Sequence, residues 1–290
     1  MAILVHAGAR SRYVTIASAL LFFSITASLR AQSVGRLVFE DYFDAGSLNT
    51  TYWDPFVTDD SASGWPWNTE SGQPLESSAI SAPNNFNLDY DQPSFVSTGS
   101  GLKLTAQAGT TAEGYQWTGA VISSYPDDNF VSTQGFTFQD AYVEVKAKLP
   151  PTGNGSWPAI WFLAGPGGNG VEIDLHEGGF LDGSVNPNRV FACNLHSAGN
   201  VQYLIDAGFN LSAAYHIYAM AYKQGEYVKM YLDGKLMCSY TENIPTGPYF
   251  IILNNSVASS QTASWHSKVT SSTPSPNEMH VAYVKVYELK

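Results

Sequence analysis

The chain has 290 residues, a formal net charge of −11 at pH 7, and 13% charged residues. This composition argues against a nucleic-acid binder, because phosphate backbones are met by clustered Lys and Arg, and against polyanionic substrates unless a local basic patch exists. The seven Trp and 17 Tyr residues favour contact with sugar rings as well as apolar cores, since their faces are apolar and their edges polar.

Residues 1–31 have the pattern of a secretory leader. Arg10 and Arg12 precede an apolar run at 14–27, which suits such a leader and is short for a membrane span. We expect cleavage after Ala31; the alternative is a membrane anchor that is retained. Removal of three arginines leaves eleven basic against 25 acidic residues, a charge of −14. The mature chain, 32–290, is expected to be secreted or periplasmic, monomeric and free of the membrane.

Short runs of alternating polar and apolar residues follow one another along the chain, closed by Gly, Pro, Asn and Ser. The expected strands are 102–106, 120–124, 141–149, 159–163, 171–177, 190–196, 216–222, 227–232, 249–254 and 280–289. Asp233-Gly234 predicts a tight hairpin turn. Many short strands with frequent turns predict an all-β sandwich or barrel in a single domain.

Four tryptophans are candidates for contact with sugar. Trp65 and Trp67 lie in the loop SGWPWNTESG, 63–72, and either line sugar subsites or plug the space beneath the loop. Trp157 and Trp161 lie in GSWPAIWFL, 155–163. They are four residues apart, so on a strand they share a face and can form a stacking wall. The alternative is that one or both belong to the core.

Three carboxylates and a histidine are crowded into VEIDLHEGG, 171–179. Glu172 and Asp174 share one face of a strand, whereas strict alternation would turn Glu177 into the core, where an unpaired carboxylate is costly. A one-residue β-bulge near Leu175 and His176 avoids this cost. It would point all three carboxylates into one groove.

Such a trio suits glycoside hydrolysis. Retaining glycosidases hold a nucleophilic carboxylate and a protonated carboxyl about 5–5.5 Å apart, and repulsion between close carboxyls keeps one of them protonated. A third carboxylate can orient the nucleophile. The alternatives are a calcium site, because carboxylates at i and i+2 bind hard cations, and a solvated strand face.

The chain has two cysteines, Cys193 and Cys238. In an exported chain they either form one disulfide or remain two separate buried thiols, and the sequence leaves both readings open.

Several segments give the chain a resemblance to glycoside hydrolase family 16, the laminarinase and agarase group. EIDLHE is similar to the family's active-site strand in its bulged form, and KLPPTGNGSWPAIWFL resembles the stretch leading into it. Further motifs follow in the family's order: FEDYFDAGSLNTTYWD, GLKLTA, WTGAVISS, YHIYAMAYKQGEYVKMYLDGK and HVAYVKVYEL. The resemblance implies a β-jelly roll of two curved antiparallel sheets with a concave substrate cleft.

The same resemblance implies roles for individual residues. Glu172 would be the nucleophile, Asp174 the assisting carboxylate and Glu177 the general acid/base. His196 resembles the family's cleft histidine, with a surface histidine as the alternative, and Asn194 shares its strand face. No metal and no organic cofactor is expected to be required.

Two positions depart from the family pattern. Ala282 stands where the closing strand usually carries an Asp, near the place where many members bind a structural calcium, which argues against calcium here. His176 occupies a bulge position that is commonly apolar. Its ring either lies beside Glu177 and shifts the pKa of that carboxyl, or fills a gap. Cys193, which alternates with Asn194, is expected to point into the sandwich.

These residues lead to the hypothesis of a secreted, retaining endo-glycosidase that acts on a neutral β-linked polysaccharide. β-1,3-Glucan or mixed β-1,3/1,4-glucan is the leading substrate, and agar-type galactan is the nearest rival. Sulfated carrageenan is disfavoured, because no Lys/Arg-rich segment is present to meet sulfate. The alternatives are a transglycosylase on the same fold and a non-catalytic lectin, and the complete set of carboxylates argues against the lectin.

Overall fold

The structure is a computed structural model that describes residues 34–54, 101–109, 116–125, 134–166, 171–198, 201–258 and 266–290. Gln32–Lys290 forms one compact unit. The expected leader and two of the candidate tryptophans, Trp65 and Trp67, lie outside the described residues. Within the described ranges, no helix has the length and apolar character that a membrane crossing requires.

Fourteen strands are present in the described part of the chain, and they pair antiparallel throughout. In chain order they are β1 (Val34–Asp41), β2 (Leu102–Ala108), β3 (Trp117–Thr118), β4 (Ala120–Ser123), β5 (Ala141–Lys148), β6 (Ser156–Ala164), β7 (Glu172–Glu177), β8 (Val190–His196), β9 (Val201–Asp206), β10 (His216–Lys223), β11 (Tyr227–Leu232), β12 (Lys235–Tyr240), β13 (Tyr249–Val257) and β14 (Asn277–Leu289). A 3-10 helix, Pro187–Arg189, precedes β8.

The strands form two sheets. Among the described residues, one sheet has eight strands in the order β12-β11-β10-β5-β14-β2-β3, with β1 also paired to β14. The other has six strands in the order β4-β13-β6-β7-β8-β9. One cluster of buried apolar side chains draws on both sheets. The expected all-β sandwich of antiparallel sheets is therefore confirmed, and β7 lies inside the six-stranded sheet between β6 and β8.

The core between the sheets follows from the alternation of the strands. Along β5, buried and partly exposed residues alternate strictly, and Val143 and Val145 belong to the core. Ile173 and Leu175 of β7 enter the same core. Each large apolar side chain buried in this way contributes about 1.5–3 kcal/mol. This inward packing leaves the other face of β7 available for polar side chains.

Most strands agree with the expectation from sequence. β8 and β11 have the expected bounds, 190–196 and 227–232, and other expected strands differ at their ends. The alternation does not predict β1, β9 or the two-residue β3, and β12 is expected only as the second strand of the hairpin at Asp233-Gly234. β9 is an edge strand of the six-stranded sheet, and its residues are exposed or partly exposed. It therefore lacks the buried alternation by which a strand is recognised.

His176 fills the core. The side chain is 0% exposed, and its ring lies 5.1 Å from that of Phe191 and 5.3 Å from that of Tyr218, which belongs to the opposite sheet. Of the two readings left open by the sequence, the structure therefore supports the gap-filling one. Burial lowers the pKa of His176 to about 3, and the backbone of Ala192 opposes the shift.

Cys193 and Cys238 form a disulfide, which settles the alternative that the sequence left open. Cys193 belongs to β8 and Cys238 to β12, so the bond joins the two sheets. The two cysteines are 45 residues apart. Closing a loop of that length in the unfolded chain stabilises the fold by about 4 kcal/mol in the chain-entropy picture. Cys193 points into the core, as expected.

Candidate active site

A bulge in β7 turns all three carboxylates toward one face. Asp174 is opposite Trp161, and the next pair along the strands is His176 with Ile160, so Leu175 is the additional residue. Leu175 and His176 consequently both face the core, and alternation restarts with Glu177 on the outer face. The bulge lies where the sequence predicts it.

The carboxyl group of Glu177 is held by two neutral donors. The indole Nε1–H of Trp157 donates to Oε1 over 3.1 Å, and the amide Nδ2–H of Asn194 donates to Oε2. Hydrogen bonds to a charged acceptor are stronger than those between neutral groups. Trp157 comes from β6 and Asn194 from β8, so the strands on both sides of β7 fix the direction of this carboxyl.

The other two carboxyls share a histidine. His196 Nε2 lies 2.8 Å from Asp174 Oδ2 and 3.4 Å from Glu172 Oε1. Asp174 is 1% exposed, so its charge requires a hydrogen-bonding partner, and His196 supplies one. Glu172 and His196 are directly opposite each other on β7 and β8, which is why the imidazole reaches both acids.

These side chains open into a cleft of about 310 Å³ on the outer face of the six-stranded sheet. Its described lining is Trp157, Glu172, Glu177, Phe180, Asn194, His196 and Gln202. The sequence did not single out Phe180 or Gln202. Gln202 lies opposite Asn194 on β9, a strand that was itself not predicted. Phe180 follows the Gly-Gly pair after β7, and that proximity in sequence is the one signal available for it.

Trp161 differs from Trp157, although both lie on the same face of β6. It is 5% exposed and packs with Val121 and Ile252 in a small apolar cluster beside the cleft. Its Nε1–H donates to Asn254 Oδ1 over 2.7 Å. Trp161 is not among the described lining residues, and its placement matches the core alternative considered for it. The stacking wall of two tryptophans is thus reduced to Trp157 in the described part of the cleft.

Two places in the structure bear on metal binding. One oxygen each from Glu172 and Asp174 and one ring nitrogen of His196 lie within 4.8 Å of one another, a donor set that can hold a cation. At the suspected calcium position, Ala282 offers no side-chain oxygen. The expectations that this position holds no calcium and that no metal is required both stay predictions.

Comparison with known proteins gives consistent similarities. No protein-family model matches the chain. "Glucan endo-1,3-beta-glucosidase A1" from Niallia circulans is 25% identical over 280 residues, which cover 87% of this chain and 38% of that protein. "Endo-1,3-1,4-beta-glycanase EglC" from Rhizobium meliloti is 25% identical over 265 residues, which cover 85% of this chain and 53% of that protein. The chain therefore spans about half or less of the length of these relatives.

Solved structures share the fold. The catalytic domain of an endo-1,3-beta-glucanase (laminarinase) from Thermotoga petrophila RKU-1 superposes with a TM-score of 0.65 at 23% identity. The match covers 89% of this chain and 99% of that domain. The sandwich described above therefore matches the jelly roll expected from the sequence motifs.

Proposed function

Because the chain belongs to glycoside hydrolase family 16, the family of laminarinases and related endo-β-glucanases, we propose that it is a retaining endo-β-glucanase. Its substrate would be a neutral polysaccharide with β-1,3 or mixed β-1,3/1,4 linkages. The observation that carries the proposal is the bulge in β7, which brings Glu172 and Glu177 into one cleft with Asp174 between them. The names of the two relatives favour a glucan over an agar-type galactan.

In the first step of the proposed reaction, the carboxylate of Glu172 bonds to the anomeric carbon. The bond between that carbon and the glycosidic oxygen breaks, and the oxygen takes a proton from Glu177. In the second step, ionised Glu177 takes a proton from water, the resulting hydroxide bonds to the anomeric carbon, and Glu172 leaves as a carboxylate. The configuration of the sugar is retained after two displacements.

His196 suits the role of keeping Glu172 ionised, and Asp174 suits that of orienting it through the shared histidine. His196 Nε2 lies 2.8 Å from Asp174 and 3.4 Å from Glu172, so a proton on this nitrogen is within reach of both acids. A donor placed beside a carboxylate favours its charged form. The nucleophile can therefore remain ionised although a second carboxylate lies close to it.

Asn194 suits a glutamate that changes its protonation state. Its Nδ2–H donates to Glu177, while its buried Oδ1 has no hydrogen-bond partner among the described residues. When a side-chain amide rotates by about 180°, its oxygen takes the place of its NH₂ group, so an acceptor replaces a donor. The same side chain can thus donate to ionised Glu177 and accept from protonated Glu177, which a general acid/base needs at successive steps.

The test compares the 32–290 chain with Glu172→Gln on laminarin, mixed-linkage glucan, agarose and carrageenan, by release of reducing ends. We expect hydrolysis of a glucan by the native sequence and none by the variant. Equal activity of the variant would disprove the nucleophile assignment. Binding without product would favour a lectin, agarose cleavage would favour the galactan hydrolase, and transfer to added acceptor sugars would favour a transglycosylase.

We also propose that the protein is exported, as the leader pattern at 1–31 predicts. The disulfide between Cys193 and Cys238 supports this, because such bonds persist mainly in oxidising compartments. The full chain should yield a mature protein that begins near residue 32 outside the cytoplasm, with no free thiol. An intact amino terminus found in the cytoplasmic fraction would contradict the proposal.

A further inference from the structure

His266 is a buried histidine beside the cleft that the proposed reaction does not use. Its Nε2 lies 2.9 Å from the carbonyl oxygen of Gly178, and its Nδ1 lies 2.6 Å from that of Ser267. A carbonyl oxygen only accepts, and a neutral imidazole supplies one N–H at a time. Burial lowers the pKa of His266, while the two carbonyls oppose the shift. The ring therefore donates to one of these carbonyl oxygens and lies against the other, and Gly178 directly follows Glu177 in the chain.

The same ring supports Trp157. The two rings lie 4.4 Å apart, centroid to centroid, at an angle of 34°, and the ring of Phe180 lies 5.6 Å from that of the histidine at 69°. Trp157 in turn donates its indole N–H to Glu177 over 3.1 Å. One imidazole thus contacts both the side chain that holds the Glu177 carboxyl and the backbone carbonyl of the next residue.

The two glycines after Glu177 make this approach possible. Gly179 has a φ of +99°, which favours glycine, and a Cβ there would overlap the His266 ring. A Cβ on Gly178 would lie 2.7 Å from Thr152 Cγ2. The backbones are joined as well, since Ser267 N donates to the carbonyl oxygen of Gly179 over 2.8 Å. Because neither glycine has a side chain, the Gly-Gly pair in VEIDLHEGG lets His266 and Ser267 pack directly against its backbone.

We propose that His266 is a positioning residue for the general acid/base, holding Glu177 in the cleft through Trp157 on one side and the Gly178 carbonyl on the other. This inference rests on the proposed function, in which Glu177 protonates the leaving oxygen. Without the ring, Trp157 loses its contact with His266, and the Gly178 carbonyl oxygen loses the Nε2 atom that lies 2.9 Å away. A displacement of about 1 Å in a catalytic group can lower a rate roughly 100-fold.

The leaving group separates acid catalysis from a general loss of structure. A sugar leaving group needs a proton from Glu177, whereas a dinitrophenolate is stable enough to leave without one. We would compare kcat and KM for laminarin with the first-turnover release of dinitrophenolate from a dinitrophenyl laminari-oligosaccharide. His266→Phe keeps a ring against Trp157 without a donor, and His266→Gln keeps a donor without a ring. Glu177→Gln is the reference for a lost acid, and His280→Ala, on β14 of the opposite sheet, is the matched control.

For His266→Phe we expect kcat on laminarin to fall roughly 10- to 100-fold, with KM and dinitrophenolate release close to those of the native sequence. His266→Gln should lose less. Gly179→Ala, whose new Cβ displaces the ring, should resemble His266→Phe and replaces it if that variant does not fold.

Equal losses on both substrates would indicate a purely structural role and overturn the proposal, as would unchanged laminarin hydrolysis. A native chain that is inactive on every glucan would instead refute the proposed function, and this inference with it. An active native chain whose Glu177→Gln variant keeps only the dinitrophenyl reaction supports the function, so that the His266 variants alone decide the positioning role.

Discussion

The two ends of β7 hold their glutamates in different ways. At the start, Glu172 lies beside Asp174 and His196, and one oxygen of each acid and one ring nitrogen lie within 4.8 Å of one another. At the end, Glu177 accepts from two neutral donors, the indole of Trp157 and the amide of Asn194. A shared histidine suits a carboxylate that stays ionised, and neutral donors suit one whose proton comes and goes. One strand thus provides two electrostatic settings, separated by the bulge.

The largest expected effect comes from removing each glutamate in turn. Glu172→Gln should lower turnover by on the order of 10⁴-fold or more for any leaving group, because no covalent intermediate forms. Glu177→Gln should lower glucan hydrolysis by roughly 10²–10⁴-fold and spare the first turnover of a dinitrophenyl glycoside. Stopped-flow measurement of phenolate release distinguishes the two. If each variant loses activity on the glucan and on the dinitrophenyl glycoside to the same extent, the two ends of the strand do not differ as described.

A smaller effect is expected from the side chains that support each end. Asn194 and His196 lie on the same face of β8, and each serves one end of β7. Losing one hydrogen bond to a charged group costs about 1.5–3 kcal/mol, or roughly 10- to 100-fold in rate if it is made in the transition state.

Asn194→Leu should therefore affect a sugar leaving group more than dinitrophenolate, whereas His196→Leu should affect both alike. The ratio of the two rates in each variant is the measurement. An equal ratio for Asn194→Leu and His196→Leu would mean that β8 does not distinguish the two ends.

The smallest effect on activity is expected at the bulge itself, where His176 faces the core. Burial lowers its pKa to about 3, against about 6.5 in an unfolded chain. Between these values the unfolded chain binds a proton that the folded chain does not, so stability falls as the pH falls. At pH 5 this group costs about 2 kcal/mol relative to neutral pH.

His176→Leu should consequently show a flatter free energy of unfolding between pH 7 and pH 5, measured by urea titration, with a similar pH 7 activity. His280→Ala, at a partly exposed position of β14, is the control for removing a histidine outside the core. A His176→Leu slope equal to that of the native sequence would show that the buried imidazole does not control acid stability.

The carboxylate cluster could be predicted from the sequence because it depends only on neighbouring residues of one strand. Residues two apart share a strand face, and an inward Glu177 would be costly, so the bulge follows from the spacing of the acids alone. The direction of His176 did not follow, since either orientation satisfies the local pattern. Only the rings of Phe191 and Tyr218, one on each sheet, make the inward position favourable.

The positions of Trp161 and β9 likewise could not be predicted from the sequence. Trp157 and Trp161 do share a face, as their spacing requires, but the neighbours contributed by β4 and β13 decide that one lines the cleft and the other is covered. β9 lies at a sheet edge and is exposed, so it leaves no alternating signature, and Gln202 could not be found without it.

The sequence by itself determined the all-β sandwich, the carboxylate strand and its bulge, because each depends on residues within a few positions of one another. The tertiary structure alone decided the disulfide between the sheets, the inward turn of His176 and the approach of His266 to Gly178 from 88 residues further along the chain. Those contacts depend on which strands become neighbours. The packing of the whole sandwich sets the order of the strands. The polar–apolar alternation within a single strand does not show which strands will be its neighbours.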